Sequence, residues 1–184
     1  MKKGFILASI LSLALSALAF AQDAGEEPAA FEFVLGPRVG VGYVFTDWGR
    51  FSDEVSEYLS NDLTYYPVMS AFGISLEQRI LLGDTRNHFA FQEILMVNGL
   101  EQGTALPIGS FLVGYRDARG FEFGAGPMVS MSGIQILIAM GWTFSFSGVY
   151  VPVDISYSIP NSSAASSISL TTGFNFITNR RNNR

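Results

Sequence analysis

The sequence predicts an all-β protein, specifically an eight-stranded antiparallel up-and-down transmembrane β-barrel. The segment 167–176 reads SISLTTGFNF, in which apolar residues or threonines alternate with small or polar residues. This period of two is typical of a strand with one apolar and one polar face, and about ten residues suffice for a tilted strand to cross a bilayer. Charged residues make up 15% of the chain, below the roughly 25% of soluble domains. After residue 21, no apolar run approaches the roughly 18 residues that a membrane helix needs.

The N-terminal segment has the pattern of an export signal. Lys2 and Lys3 supply a positive start, residues 5–20 are apolar apart from serines, and residues 19–21 read AFA, a small-x-small cleavage pattern. A membrane-anchoring helix is the alternative, but the apolar stretch is short and no stop-transfer pattern follows it. The predicted segments are a signal peptide at 1–21, a short flexible periplasmic lead at 22–30, the outer-membrane β-barrel at 31–176 and a polar basic tail at 177–184.

Composition excludes several classes of function. Without the signal, the chain has no lysine, and its 9 Arg against 16 Asp plus Glu give a formal net charge of −7. A nucleic-acid partner is not expected, because it would need a basic patch. The absence of cysteine excludes a disulfide scaffold and a thiolate metal site. We expect no cofactor and no metal.

Alternation and turn residues divide the barrel segment into strands in order. The longest connection, 46–64, is acidic and contains Arg50 as its one basic residue, with one or two helical turns predicted within 52–59. Strand 3 leaves two registers open: either Glu93 faces lipid or a bulge near Gln92 shifts the pairing. The predicted strands lie at about 31–45, 65–81, 88–98, 107–116, 121–132, 135–145, 149–158 and 167–176.

An even number of strands places both termini on one side of the membrane. The connections after strands 2, 4 and 6 are short, which is typical of periplasmic turns. The sequence therefore predicts periplasmic termini and an outward position for the acidic connection 46–64.

The two faces of the strands differ in composition. One face is rich in Gly, Ser and Ala with isolated charges, whereas an exposed soluble surface would carry charged residues at most positions. The soluble alternative is a lipocalin-like barrel with its apolar face inward. Aromatic residues near the strand ends instead favour a membrane barrel, in which they would form two girdles at the bilayer interfaces. These residues are Tyr43, Phe45 and Tyr66 at one rim, and Tyr115, Phe121, Trp142, Phe144 and Phe176 at the other.

In this pattern the chain resembles the small eight-stranded outer-membrane barrels of the OmpA, OmpX and OmpW type. Near its end, Gly173, Phe174 and Phe176 resemble the signal that the barrel-insertion machinery reads, although eight residues follow the final aromatic. The resemblance covers about 31–176. It implies outer-membrane lipid as surroundings, insertion by the barrel-assembly machinery, and periplasmic chaperones that hold the chain in transit.

Six charged residues are predicted to point into the lumen. A barrel of eight strands is just wide enough for its side chains to fill it, and buried charges need partners. We therefore expect an ion-pair network, with a narrow polar path or gate as the alternative. The residues are Glu32, Arg38, Glu77, Arg79, Glu122 and Asp154.

Catalysis is not expected. Some barrels of this size are lipid-modifying enzymes with a His, a Ser and an acid near the outer leaflet. The single histidine, His88, is predicted to lie at a periplasmic turn, as a turn or interface residue. The geometric grouping that a catalytic site needs is therefore missing.

The first loop is the predicted site of contact with an extracellular ligand, since loops on a rigid barrel commonly bind. A solvated loop with aromatics at the membrane interface is the alternative. The candidate residues are Trp48, Arg50, Phe51, Asp53, Glu54 and Tyr58. The function predicted overall is a surface-exposed, non-enzymatic structural or adhesion-type barrel with a largely filled polar lumen. The alternative is a narrow channel for small solutes or, as in the OmpW-like group, small hydrophobic molecules, a version that the charged lumen weakens.

Overall fold

The computed structural model describes residues 31–82, 87–147, 149–162 and 164–178. They form a closed eight-stranded antiparallel up-and-down barrel, which confirms the predicted fold class. The predicted signal peptide 1–21, the lead 22–30, most of the tail 177–184 and the turn at 83–86 lie outside the described residues. The strands are β1 Phe31–Val44, β2 Val68–Leu81, β3 His88–Asn98, β4 Leu106–Arg116, β5 Phe121–Ser130, β6 Gly133–Phe146, β7 Val149–Ile159, β8 Ser167–Gly173 and β9 Phe176–Ile177.

The first and last strands close the barrel. β1 pairs with β2 along one edge, and with β8 and β9 along the other. β8 and β9 share one register against β1, so they are one strand interrupted opposite Pro37, which has no N–H to donate. Beside it, a Cβ on Gly36 would collide with the backbone carbonyl of Phe174. The glycine is therefore needed for the close approach of the two strands at this seam.

The alternation divides the barrel wall into two faces as predicted. Inward positions such as Arg38, Glu77 and Ser75 are buried. Large apolar side chains on the opposite face are exposed on each of the strands β1 to β8, and together we call them the belt. The belt includes Val39, Val41, Phe72, Ile74, Val113, Phe123, Ile136, Met140, Val153, Ile155 and Leu170.

Strand β3 adopts one of the two registers left open by its sequence. Its pairing with β2 and β4 is continuous from His88 to Asn98, without a bulge at Gln92. Glu93 pairs with Leu76 and Phe111 and points outward with them. Gln92 consequently points into the lumen, where it is buried.

A helix and a short connecting segment separate β1 from β2. Helix α1, Trp48–Leu59, has twelve residues and is longer than the predicted one or two turns. The side chain of Asp47 accepts hydrogen bonds from the N–H groups of Gly49 and Arg50, a typical N-cap. β2 begins at Val68 rather than at residue 65, because Tyr65 is buried against the helix instead of entering the sheet.

The other connections are short. A 3-10 turn, Leu100–Gln102, lies between β3 and β4. Among the described residues, no helix is long and apolar enough to span a membrane.

Candidate functional site

Helix α1 covers one mouth of the barrel. Its buried residues Phe51 and Val55 pack against Tyr65, Met69 and Leu106. Met69 and Leu106 are inward residues at the starts of β2 and β4, so the contacts extend across the mouth. Burial of an apolar helix face of this kind is the main source of stability for a short helix. We call this end of the barrel the helix end, and the opposite end, where the described chain begins and ends, the terminal end.

This packing corrects one of the predicted ligand-contact residues, Phe51, and partly covers another, Tyr58. Phe51 is buried, so it does not form a contact surface, and Tyr58 is half-buried with part of its side chain packed against the same apolar cluster. The reason is that the helix turns one apolar stripe toward the barrel mouth. The other four predicted residues are exposed: Trp48, Arg50, Asp53 and Glu54.

The exposed residues of the helix have partners of their own. Arg50 Nε lies 3.0 Å from Glu54 Oε1, one helical turn away. The ring of Trp48 meets that of Tyr66 edge to face, with centroids 5.4 Å apart. The outer face of α1 is therefore polar, with an aromatic pair at its margin.

The 3-10 turn holds the start of β2 beside the helix. Gln102 donates to the carbonyl oxygens of Tyr66 and Val68, and its own side-chain oxygen accepts from the Tyr66 N–H. Glu101 accepts hydrogen bonds from the backbone N–H and hydroxyl of Ser70. Burial alone would raise the pKa of Glu101, but these hydrogen bonds outweigh it and hold the pKa below its ordinary value.

In the lumen, toward the terminal end, Glu77 lies at the centre of an ion-pair network. It is 2% exposed, its Oε1 accepts from Arg79 Nε at 2.6 Å, and its Oε2 accepts from Arg116 Nη2 at 3.1 Å. Arg116 Nε also lies 3.0 Å from Glu122 Oε2. Arg79 reaches Glu32 at 3.8 Å. One carboxylate thus bridges two guanidinium groups, each of which has a second acidic neighbour.

Arg38 forms a second branch of this network. Its Nη1 lies 3.2 Å from Asp154 Oδ2, and its Nε donates to Ser75 Oγ at 2.9 Å. The six lumen residues predicted from sequence are therefore brought together by the fold. With Arg116 and His88 they form the charge layer, which consists of Glu32, Arg38, Glu77, Arg79, His88, Arg116, Glu122 and Asp154.

Sequence reasoning missed two members of the charge layer. His88 begins β3, as predicted, but it is buried and its Nε2 lies 3.9 Å from Glu77 Oε1, so its side chain belongs to the lumen and not to an interface. Arg116 is the last residue of β4 and is also buried. The alternation along each strand could have found both. His88 lies on the same face of β3 as buried Gln92, and Arg116 lies on the same face of β4 as buried Leu112.

The lumen was predicted to be largely polar, and its helix half contains an apolar cluster on one side and serine and threonine side chains on the other. Leu112, Met128 and Leu137 form a buried cluster with Ile94, Ile108 and Ala139 packed against it. These residues, with Met69 and Met96, surround a cavity of about 120 Å³, which we call the upper cavity. Arg38, Gln92, Arg116, Glu122 and Asp154 line the end of it that adjoins the charge layer.

A second space lies next to the upper cavity, beside helix α1. It has a volume of about 80 Å³ and shares Met69, Asn98 and Met128 with the upper cavity. Thr46 and Glu54 on the helix side, and Ser132 and Gln135 on the opposite side, line its outer part. We call this space the side cavity.

The described residues hold no group of three or more His, Cys, Asp or Glu side chains arranged for a metal ion. No protein-family model, curated protein or solved structure matches this chain. The features that bear on function are therefore the barrel, its outer face and its lumen.

Proposed function

We propose that this chain is an integral protein of the bacterial outer membrane, with periplasmic termini and a non-enzymatic, surface-exposed structural or adhesion-type role. The observation that carries the proposal is the reversal of polarity across the wall. Apolar side chains such as Phe72, Ile74 and Leu170 are exposed, while Arg38 and Glu77 are buried inside. A soluble protein would leave this belt in water, whereas lipid would cover it.

Aromatic side chains at both ends of the outer face support the same proposal. Phe45 and Tyr66 are exposed near the helix end, and Tyr115, Trp142 and Phe144 near the terminal end. Two such girdles match the two interfaces of a bilayer. We also propose that the chain is a barrel of the OmpA, OmpX and OmpW type. Periplasmic chaperones would hold it in transit, and the barrel-assembly machinery would then recognise Gly173, Phe174 and Phe176.

The closed lumen favours a structural barrel over a porin-like channel. Helix α1 packs across one mouth, and the charge layer fills the lumen between the upper cavity and the terminal end. The exposed residues Arg50, Asp53 and Glu54 of the helix are the surface that an extracellular ligand would meet. The upper cavity favours one second candidate, the binding or passage of small hydrophobic molecules.

Insertion and conductance test the proposal together. Residues 22–184, refolded into lipid vesicles, are expected to migrate differently on a gel before and after heating, because a closed barrel resists detergent unfolding. In a planar bilayer the refolded protein is expected to give no discrete conductance steps. Failure to enter vesicles would refute the membrane location, and reproducible openings would refute the closed lumen.

A further inference from the structure

Two polar side chains of the outer face have no partner within the barrel. Glu93 lies at the middle of β3, a strand of eleven residues, and Gln78 lies on the neighbouring strand β2. Both point outward, and no described group forms a hydrogen bond or an ion pair with either side chain. The residues that pair with Glu93 across the two ladders are Leu76 and Phe111. A carboxyl group therefore lies among apolar side chains, on the face that the proposed function gives to lipid.

The other polar, non-aromatic side chains on the outer face of the described strands are satisfied within the barrel. They are Ser70, whose hydroxyl donates to Glu101, and Thr172, whose hydroxyl donates to the carbonyl oxygen of Pro152. Lipid acyl chains neither donate nor accept hydrogen bonds, so a polar side chain at membrane depth is costly unless another protein group meets it. The two unpaired side chains therefore indicate a place where the wall meets a protein partner.

The stagger of the barrel relates the positions of these two side chains. A path of paired residues that starts at Glu32 and follows the ladders around all eight strands returns to β1 at Gly42, ten residues nearer the helix end. With strands about 4.8 Å apart and a rise of about 3.3 Å per residue, this stagger tilts the strands by about 40° from the barrel axis.

This tilt places Glu93 above Gln78 on a line parallel to the barrel axis. Gln78 pairs with Phe91, and Glu93 lies two residues beyond Phe91 toward the helix end. The step to the next strand rises by about 3 Å along the axis and the two residues add about 5 Å, while their sideways displacements nearly cancel. Glu93 is therefore about 8 Å nearer the helix end than Gln78, at almost the same position around the wall.

Gly109 continues the line toward the helix end. It pairs with Leu95, which lies two residues beyond Glu93, so the same geometry applies. Because a glycine has no side chain, a second wall can approach closely there. We call Gln78, Glu93 and Gly109 the outer column. Its flanks are apolar, with Leu76 and Leu95 on one side and, on the other, Phe91 and Phe111, whose rings stack with centroids 6.3 Å apart.

We propose that the outer column is the interface of a homodimer, in which a second copy of this chain packs against it about a two-fold axis parallel to the barrel axis. Two copies inserted in the same direction can be exchanged only by an axis along the membrane normal. A line of residues parallel to that axis then meets the same residues of the partner at equal heights. This interface rests on the proposed membrane location, because in lipid its polar groups lack any other partner.

The outer column is complementary to itself. A carboxamide carries both donors and an acceptor, so the two copies of Gln78 each donate to the oxygen of the other. The two Glu93 carboxyl groups pair through one shared proton, as closely placed carboxyl groups do. Left and right are exchanged between facing surfaces, so the phenylalanines that flank one copy meet the leucines that flank the other. The unpaired polar groups and the apolar flanks are thus covered together.

Cross-linking between copies provides the measurement. The chain contains no cysteine, so a single introduced thiol reports how close two copies come. Gly109→Cys places the thiol on the outer column, and Ile155→Cys places it on β7, opposite β3 in the closed barrel. Residues 22–184 of each variant are refolded into phospholipid vesicles and oxidised with copper phenanthroline over a series of lipid dilutions. Gly109→Cys is expected to give a disulfide dimer that persists on dilution, and Ile155→Cys only one that fades.

Further substitutions in the Gly109→Cys protein test the polar side chains. Gln78→Leu combined with Glu93→Leu removes both and is expected to weaken association roughly tenfold, the order of magnitude for hydrogen bonds between membrane segments. Glu93→Gln keeps the hydrogen-bonding capacity and is expected to keep the dimer. Thr172→Val is the matched control, because it removes an outward polar group that already has a partner. Each variant is first tested for insertion and for the heat-dependent gel shift of a folded barrel.

The outcomes separate the dimer from the proposed function. Inserted barrels that cross-link equally through Gly109→Cys and Ile155→Cys, or through neither, would refute the dimer while leaving the membrane location intact. Cross-linking that survives both leucine substitutions, or that is lost in Glu93→Gln, would refute the pairing of the polar side chains across the interface. A chain that does not insert would first refute the proposed function.

Discussion

Replacing Glu77 by alanine is expected to lower the free energy of unfolding by about 3–5 kcal/mol, the cost of removing one partner from a buried ion pair. Glu77 is the acceptor for both Arg79 and Arg116, and it is 2% exposed. Its loss would leave two buried guanidinium groups short of their central partner. Urea titration of the refolded barrel in vesicles, followed by tryptophan fluorescence and the heat-dependent gel shift, measures the change.

Two further variants isolate the cause. Glu77→Gln keeps the side-chain volume and removes the charge, so it is expected to show most of the same loss. Glu54→Ala is the control, because Glu54 pairs with Arg50 at the surface, where such a pair contributes about 0.2–1 kcal/mol. If Glu77→Gln were as stable as the unchanged protein, the charge layer would not depend on ion pairing.

Replacing Val55 by aspartate is expected to detach helix α1 from the barrel mouth. Val55 is fully buried among Phe51, Tyr65 and Met69, and a carboxylate there would lack a partner or would pull the helix into water. Arg50 is the one basic residue in 46–64, so the fragments cut after Arg50 report trypsin access to this segment. Cleavage after Arg50 is expected to become on the order of a hundredfold faster, because cleavage follows the population of the open state.

The barrel wall is expected to remain closed in this variant, since the strands keep their hydrogen-bonded neighbours on both sides. Asp53→Val, on the exposed face of the same helix, serves as the control. It is expected to leave the rate of cleavage near that of the unchanged protein. Unchanged resistance in Val55→Asp would show that Val55 does not anchor the helix. Loss of the gel shift would show that helix and barrel unfold as one unit.

The outer face and the lumen were predictable to different degrees. Alternation along each strand correctly assigned Leu170 and Phe174 outward and Gly173 inward, because successive side chains of a strand point to opposite faces. The same parity applied to β3 and β4 would have added His88 and Arg116 to the lumen. Parity could not choose between the two registers of β3, because that choice depends on pairing with β2 and β4.

The sequence by itself determined the class of this protein: eight alternating strands, an apolar outer face, and six charged residues pointing inward. Only the tertiary structure decided which inward residues meet. Glu77 on β2 contacts Arg116 on β4, and Arg38 on β1 contacts Asp154 on β7. The tertiary structure also divided the lumen into a charge layer and an upper cavity. It placed Phe51 of the first loop against Met69 in the mouth of the barrel. The physical reason is that alternation states the face of a side chain, whereas its height and neighbours in the lumen depend on the tilt and stagger of strands distant in sequence.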